Sequence, residues 1–213
     1  MISIIATTYN GFHFLTNALR SCPRGDEFET ILVDDCSPMP FPDYAKKEID
    51  RLGVRYFRTP TNMMLPGARN YGIERSIGDW FITLDEDDWF YPGAIQRLFS
   101  ERKDADIVYG NIKNYGKTVE PCTEEITKET FLNGNPLFVH SLQSKKVWER
   151  IGGYSVKNVE YYEDWNYWKR AAEAGFSFKY VPVIVYNKTE RQGSMCRRIG
   201  GNIDGAVSLT LEA

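Results

Sequence analysis

Hydrophobic and polar positions in the first half of the chain follow a repeating beat. A short apolar, β-branched run gives way to apolar residues at helical spacing, and then to the next apolar run. Residues 2–8 are the first such run and predict a buried strand. Phe14, Leu15, Ala18 and Leu19 recur at helical spacing and predict a helix behind it. The same reading predicts strands over 30–33, 54–57, 80–84 and 106–109. Helices are predicted over 43–52, closed by Gly53, over 66–77, closed by Gly78, and over 92–102, opened by a proline. Strand and helix in alternation predict an α/β fold: a Rossmann-like, mostly parallel central sheet with helices on both faces.

The second half is less regular and predicts a mixed region. Residues 112–121 read as a hairpin around Asn114-Tyr115-Gly116. Short helices are predicted over 128–132 and 145–151, and an aromatic-rich helix over 164–174, closed by Gly175. A late strand over 178–185 is interrupted by Pro182, which predicts a sheet edge. From Lys188 the chain is polar and reads as a mobile tail. No repeat, low-complexity tract or linker divides the sequence, so a single domain over 1–213 is expected.

In open α/β sheets ligands bind beyond the carboxyl ends of the strands. Two predicted ends carry acids: Asp34-Asp35, and the run Asp85-Glu86-Asp87-Asp88. Consecutive carboxylates repel one another and call for a counter-charge, which Mg2+ or Mn2+ supplies through oxygen ligands. Alternation along the chain separates Asp85 and Asp87 from Glu86 and Asp88, so one subset can face a cation while the other holds the loop. Asp34-Asp35 can cap its own loop or accept a hydrogen bond from a base N–H or a ribose hydroxyl.

Net charge is −3 over 213 residues, which argues against nucleic acid as the main partner. Cys22, Cys36, Cys122 and Cys196 are scattered, with no metal-binding spacing, which argues against zinc. The first residues lack a basic lead and a long apolar run, and no stretch approaches the ~20 apolar residues of a membrane span. A cytoplasmic protein, peripheral to a membrane at most, is expected. The segment 5–14 holds only Gly11 and no lysine or arginine, unlike the glycine-rich basic loop of a sugar nucleotidyltransferase. A non-catalytic nucleotide- or carbohydrate-binding module is the remaining alternative.

Several separated segments resemble one family in the same order: SIIATTYN (3–10), ILVDDCS (31–37), PGARNYG (66–72), GDWFITLDEDD (78–88), IGGY (151–154) and EDW (163–165). Over roughly residues 1–187 the chain is similar to the family-two glycosyltransferases of the GT-A type. The resemblance implies a nucleotide-sugar-binding half (1–110), an acceptor and catalytic-base half (111–187) and a tail or lid (188–213). It implies that Thr7, Tyr9 and Asp35 hold the nucleoside, with Tyr9 beside the base. Arg69 would pair with an acid or touch phosphate. Asp85 and Asp87 would form the D-x-D pair, with Asp87 the direct metal ligand and Asp88 supporting metal or loop. Asp164 would be the catalytic base, oriented or tuned by Glu163. The implied reaction is inverting transfer from a nucleoside-diphosphate sugar, UDP-linked, to an acceptor hydroxyl with Mn2+ or Mg2+ bound. A saccharide, lipid carrier, protein or modified nucleobase would serve as acceptor, and a homodimer is left open.

The family often closes the diphosphate under a histidine or arginine near the C-terminus; here Arg191 with Ser194 is the candidate lid. His140 is read as structural, or as a contact to acceptor or diphosphate. Among the tryptophans, Trp165 is the first candidate to stack on a sugar ring, with Trp89 and Trp168 behind it and Trp80 and Trp148 assigned to the core.

Overall fold

A computed structural model describes residues 1–114, 116–132, 134–157 and 162–189. The elements run β1 (Ile2–Thr8), α1 (Phe12–Ser21), β2 (Phe28–Asp34), α2 (Asp43–Leu52), β3 (Arg55–Arg58), α3 (Met64–Glu74), β4 (Trp80–Asp85), β5 (Trp89–Phe90) and α4 (Ala94–Ser100). After them come β6 (Ile107–Asn114), β7 (Lys117–Val119), β8 (Leu142–Ser144), α5 (Lys145–Ile151), α6 (Glu163–Glu173) and β9 (Phe178–Lys188). Short 3-10 turns lie at Arg102–Asp104 and Lys128–Leu132.

One sheet holds the fold together, in the order β3-β2-β1-β4-β8-β6-β9-β5, with β7 paired to β6. The first half is wholly parallel: β1 lies between β2 and β4, with Thr7 opposite Val33 on one side and Asp85 on the other. Antiparallel β8 then joins β4 to β6. β1 is buried throughout because both faces are covered. Ile2, Ile4, Ala6, Leu32, Ile82 and Leu84 meet α1, α2 and α4 on one side. Ile5, Ile31, Val33, Phe81 and Tyr109 meet α3, α5 and α6 on the other. The continuous apolar run of β1 is the expected pattern for a strand buried on both faces.

One sequence expectation needs correction. The helix expected over 66–77 starts and stops earlier, at Met64–Glu74, and Gly78 is a packing position in the turn to β4. Its N–H meets Ser3 Oγ at 3.0 Å, and a Cβ there would sit 2.5 Å from the same atom. Around Pro182 the late strand is an edge, as expected, because β5 pairs with it only further on, at Tyr186 and Asn187. Proline is tolerated there because the β6–β9 register slips between Tyr109 and Asn111, so the ladder is already interrupted. Gly110 fills the irregularity, since a Cβ would lie 2.6 Å from the Val183 carbonyl oxygen.

Candidate active site

The site assembles at the carboxyl end of the parallel strands, where β4 delivers Asp85 and the chain turns at once. The Asp88 N–H donates to the Asp85 carbonyl at 3.2 Å, and this turn sends neighbouring carboxylates in different directions. Glu86 turns inward to the loop after β1, accepting from the Thr8 hydroxyl at 2.6 Å and the Tyr9 N–H at 3.0 Å. Gly11 packs against this carboxylate so closely that a Cβ would lie 1.9 Å from its carboxyl carbon. Glu86 therefore laces two strand-end loops together.

Asp88 is buried and faces His140. Its Oδ2 lies 3.1 Å from His140 Nε2, and its Oδ1 accepts the Thr189 N–H at 2.8 Å. Asp85 Oδ2 lies 4.0 Å from the same imidazole nitrogen. One ligand atom from each of Asp85, Asp88 and His140 falls within 4.8 Å of the others. Asp87 is half-buried and outside this group of atoms. The second ring nitrogen, Nδ1, is 3.2 Å from the Thr83 hydroxyl. A tautomer with the proton on Nδ1 donates to Thr83 and turns the Nε2 lone pair toward the two aspartates. That arrangement is the usual support of a metal-binding histidine.

Arg69 bridges this corner to the opposite wall. Its side chain is 1% exposed, with Nη2 donating to Asp85 Oδ1 at 2.9 Å and Nη1 donating to Glu163 Oε1 at 2.7 Å. Burial alone would raise the Asp85 carboxyl, but the charge and hydrogen bond of Arg69 hold it below the ordinary aspartate range. Burial would likewise depress Arg69, yet Asp85 and Glu163 raise its affinity for the proton further. Arg69 lies in α3, which approaches β1 closely because Gly72 has no side chain: a Cβ there would be 2.5 Å from Ile5 Cγ2.

Glu163 and Asp164 occupy the first turn of α6, where the helix macrodipole favours acids. Asp164 Oδ2 accepts from Asn135 Nδ2 at 3.0 Å, and Oδ1 accepts from the Trp165 N–H at 2.8 Å. Burial, reinforced by the Glu163 charge, raises the Asp164 carboxyl to about 6 in spite of Arg69. The turn after α5 is fixed by Asn70. That side chain donates to the Tyr154 carbonyl at 2.8 Å and accepts from Trp148 Nε1 at 2.9 Å and the Tyr154 N–H at 2.8 Å. Gly153, at φ +77°, would place a Cβ 2.7 Å from Asn70 Oδ1. The ARN and GGY segments are thus two halves of one clamp.

At the ends of β1 and β2, Tyr9 is 47% exposed while Thr7 is buried. Asp35 is raised by burial, opposed by the Met63 N–H at 2.8 Å and the Thr59 hydroxyl at 3.0 Å, both donating to Oδ1. Asp34 is structural, buried under Arg58 Nη1 at 2.6 Å and the Tyr56 hydroxyl at 3.0 Å. Asn10, Cys36, Met64 and Tyr162 hold left-handed backbone at φ +59°, +56°, +60° and +66°. These residues follow β1 and β2, open α3 and precede α6, so strained backbone lines this end of the sheet, as is common at functional sites.

The structure therefore brings Arg69, Asp85, Asp88 and Glu163 into one network. Trp165 and Trp168 are core residues, Trp165 donating to the Phe131 carbonyl at 3.2 Å, so neither offers a face to a sugar. Arg191 and Ser194 lie outside the described residues. Sequence reasoning leaves His140 undecided and misses Asn135. Neither lies in a recognisable segment, and only the approach of β8 and the 134–137 turn gives them partners. No helix among the described residues is long and apolar enough to cross a membrane.

The family model for Glycosyl transferase family 2 matches residues 3–172. YwdF of Bacillus subtilis (strain 168), an uncharacterized glycosyltransferase, is 28% identical over 199 residues, covering 87% of this chain and 73% of YwdF. Poly(ribitol-phosphate) beta-N-acetylglucosaminyltransferase TarS of Staphylococcus aureus (strain Mu50 / ATCC 700699) is 27% identical over 135 residues, 60% of this chain and 23% of TarS. The solved structure of TarS 1–349 with UDP superposes with a TM-score of 0.74 at 19% identity, covering 89% of this chain and 60% of that one. Mannosyltransferase PcManGT from Pyrobaculum calidifontis, in complex with GDP-Man and Mn2+, gives 0.68 at 15% identity, covering 93% and 59%. The chain thus spans well under two thirds of these solved relatives, whose likeness establishes the GT-A fold. With the family model matching from the first strand into the last helix, the chain belongs to glycosyltransferase family 2.

Proposed function

We propose that the protein transfers a sugar from a UDP-sugar to an acceptor hydroxyl with inversion at the anomeric carbon, with Asp164 as base. The observation that carries this reading is the hydrogen-bonded bridge Glu163–Arg69–Asp85, which holds the start of α6 against the acid loop of β4. A base and a cation-binding loop are thereby kept at a fixed separation.

Asp164 takes the proton of the acceptor hydroxyl as its oxygen bonds to the anomeric carbon. The bond from that carbon to the diphosphate oxygen breaks, and the nucleoside diphosphate leaves with the electron pair. A carboxyl raised to about 6 is well matched to this work near neutral pH, because it is ionised yet basic enough to accept the proton. One-step displacement with a single base inverts configuration. Thr7, Tyr9 and Asp35 hold the nucleoside, with Tyr9 supplying the exposed ring. The two carboxylates suit Mn2+ or Mg2+ and the imidazole favours Mn2+ of the two; Asp85, Asp88 and His140 would hold it. A cation there supplies positive charge against the departing diphosphate. The D-x-D resemblance instead assigns Asp87 as the direct ligand, a second reading that Mn2+ binding to Asp87→Asn and Asp88→Asn variants separates.

Donor choice rests on the relatives: TarS is solved with UDP and with UDP-GlcNAc, PcManGT with GDP-Man. Release of nucleoside diphosphate from a panel of UDP- and GDP-sugars, with and without Mn2+, tests the reading. Asp164→Asn should abolish release while leaving donor affinity within about threefold. Normal release by that variant would remove Asp164 as base.

A further inference from the structure

Asn135 belongs to none of the segments that mark the family, yet it makes the only side-chain hydrogen bond given to the Asp164 carboxylate among the described residues. The stretch that carries it is firmly seated. Phe131 and Leu137 flank it and are both buried in the core beneath α6. The Phe131 carbonyl accepts from Trp165 Nε1 at 3.2 Å, so the stretch is bonded to the very helix that bears the base. On the far side the Pro136 carbonyl accepts the Cys122 N–H at 2.9 Å, and the Cys122 carbonyl accepts the Tyr109 hydroxyl at 2.9 Å, which ties the turn to β6. The orientation of the amide is set locally, because Asn135 Oδ1 faces the Leu137 N–H at 3.4 Å. With its carbonyl oxygen so engaged, the NH2 group is the end that points at Asp164.

We propose that Asn135 is a positioning residue for the base: its amide fixes the Asp164 carboxylate so that one oxygen is presented to the acceptor hydroxyl. This inference rests on the base reading above. With Asn135 on Oδ2 and the Trp165 N–H on Oδ1, the carboxylate plane cannot rotate freely, and each oxygen retains a second lone pair for an incoming proton. The other groups that face Asp164 are Glu163 on α6, Arg69 on α3, Tyr154 in the turn after α5 and Tyr186 on β9. Among the described residues none of these hydrogen-bonds to the carboxylate. Asn135 thus supplies a directional contact where the others act through charge.

A hydrogen bond to the ionised carboxylate also favours that form, which gives a readout independent of donor, acceptor and metal. The test is 13C NMR titration of aspartate carboxyls in the full chain, the Asp164 resonance being identified by its loss in Asp164→Asn. Asn135→Ala should move the Asp164 titration up by about one pH unit, and Asn135→Asp, which adds a like charge, should move it further. Asn135→Ser, a smaller donor, should return part of the shift. Asn135→Ala should also lower turnover about tenfold or more with donor KM unchanged. An Asp164 titration that stays in place in both Asn135→Ala and Asn135→Asp overturns the proposal. Failure of the base reading looks different, since Asp164→Asn would then remain active whatever Asn135 does. A destabilising role alone would lower the melting temperature without the ordered shift across Ala, Ser and Asp.

Discussion

Arg69→Met removes the charge that joins the acid loop to α6 while keeping a side chain of similar length. In the folded protein Arg69 is 1% exposed and forks to two carboxylates that are 28% and 14% exposed. Taking away one partner of such a pair leaves charge unpaired and costs about 3–5 kcal/mol. The partial exposure of Asp85 places the expected loss toward about 3 kcal/mol, in the lower part of that range. For a chain of this size each kcal/mol lowers the melting temperature by about 2–4 °C, so a drop of about 6–12 °C is expected. Arg69→Lys keeps the charge but reaches only one acid, and should lose roughly half as much. Urea unfolding followed by tryptophan fluorescence measures both. The pH dependence has a fixed sign. Asp85 is held below its ordinary value, so its contribution is present above about pH 3.9 and disappears as pH falls through the lowered folded value. The gap between wild type and Arg69→Met should therefore be full at pH 7 and narrow below about pH 4. A loss under about 1 kcal/mol at pH 7, or a gap that is unchanged at pH 3, would refute the bridge as a source of stability.

Asp164 predicts the opposite pH behaviour. Its folded carboxyl is raised to about 6, so the fold pays nothing for it below about pH 3.9 and the full cost of a buried anion above pH 6. Asp164→Asn should accordingly be more stable than wild type by about 1–3 kcal/mol at pH 8, with no difference at pH 3.5, while losing about a hundredfold or more in turnover. In the active protein, turnover should fall about tenfold per pH unit below 6, and Glu163→Gln should move that limb to lower pH by removing the adjacent charge. Calorimetry with Mn2+ should show binding weakened at least tenfold in His140→Ala and Asp88→Asn if the gathered trio holds the ion; loss confined to Asp85→Asn and Asp87→Asn would favour the D-x-D pair. Gly72→Ala should cost about 1–3 kcal/mol in urea unfolding, because the new methyl would lie 2.5 Å from Ile5 Cγ2. Gly153→Ala should cost more, since it adds a φ of +77° to a 2.7 Å clash with Asn70.

The order of elements was written in local pattern. The β1 run, the helical spacing from Phe14 to Leu19 and the C-terminal cap at Gly53 each need only neighbours in sequence to be legible. The acid run after β4 and the Glu163-Asp164 pair were visible for the same reason, because a strand or helix boundary is a local event. Which acid does what was decided by contacts far apart in the chain. Alternation sets Glu86 and Asp88 apart from Asp85 and Asp87, yet Glu86 holds the loop after β1 through Thr8 and the Tyr9 N–H while Asp88 faces His140. Trp165 follows the proposed base in sequence, yet the helix turns its ring into the core. His140 and Asn135 carry no periodicity or spacing signal, because a single polar side chain acquires meaning only from the partner that packing supplies. Periodicity thus determined the parallel strands and the helices that cover them; the short strands β5 and β8, which pair only with distant partners, and the direction of each carboxylate came from long-range burial and charge pairing that no local pattern encodes.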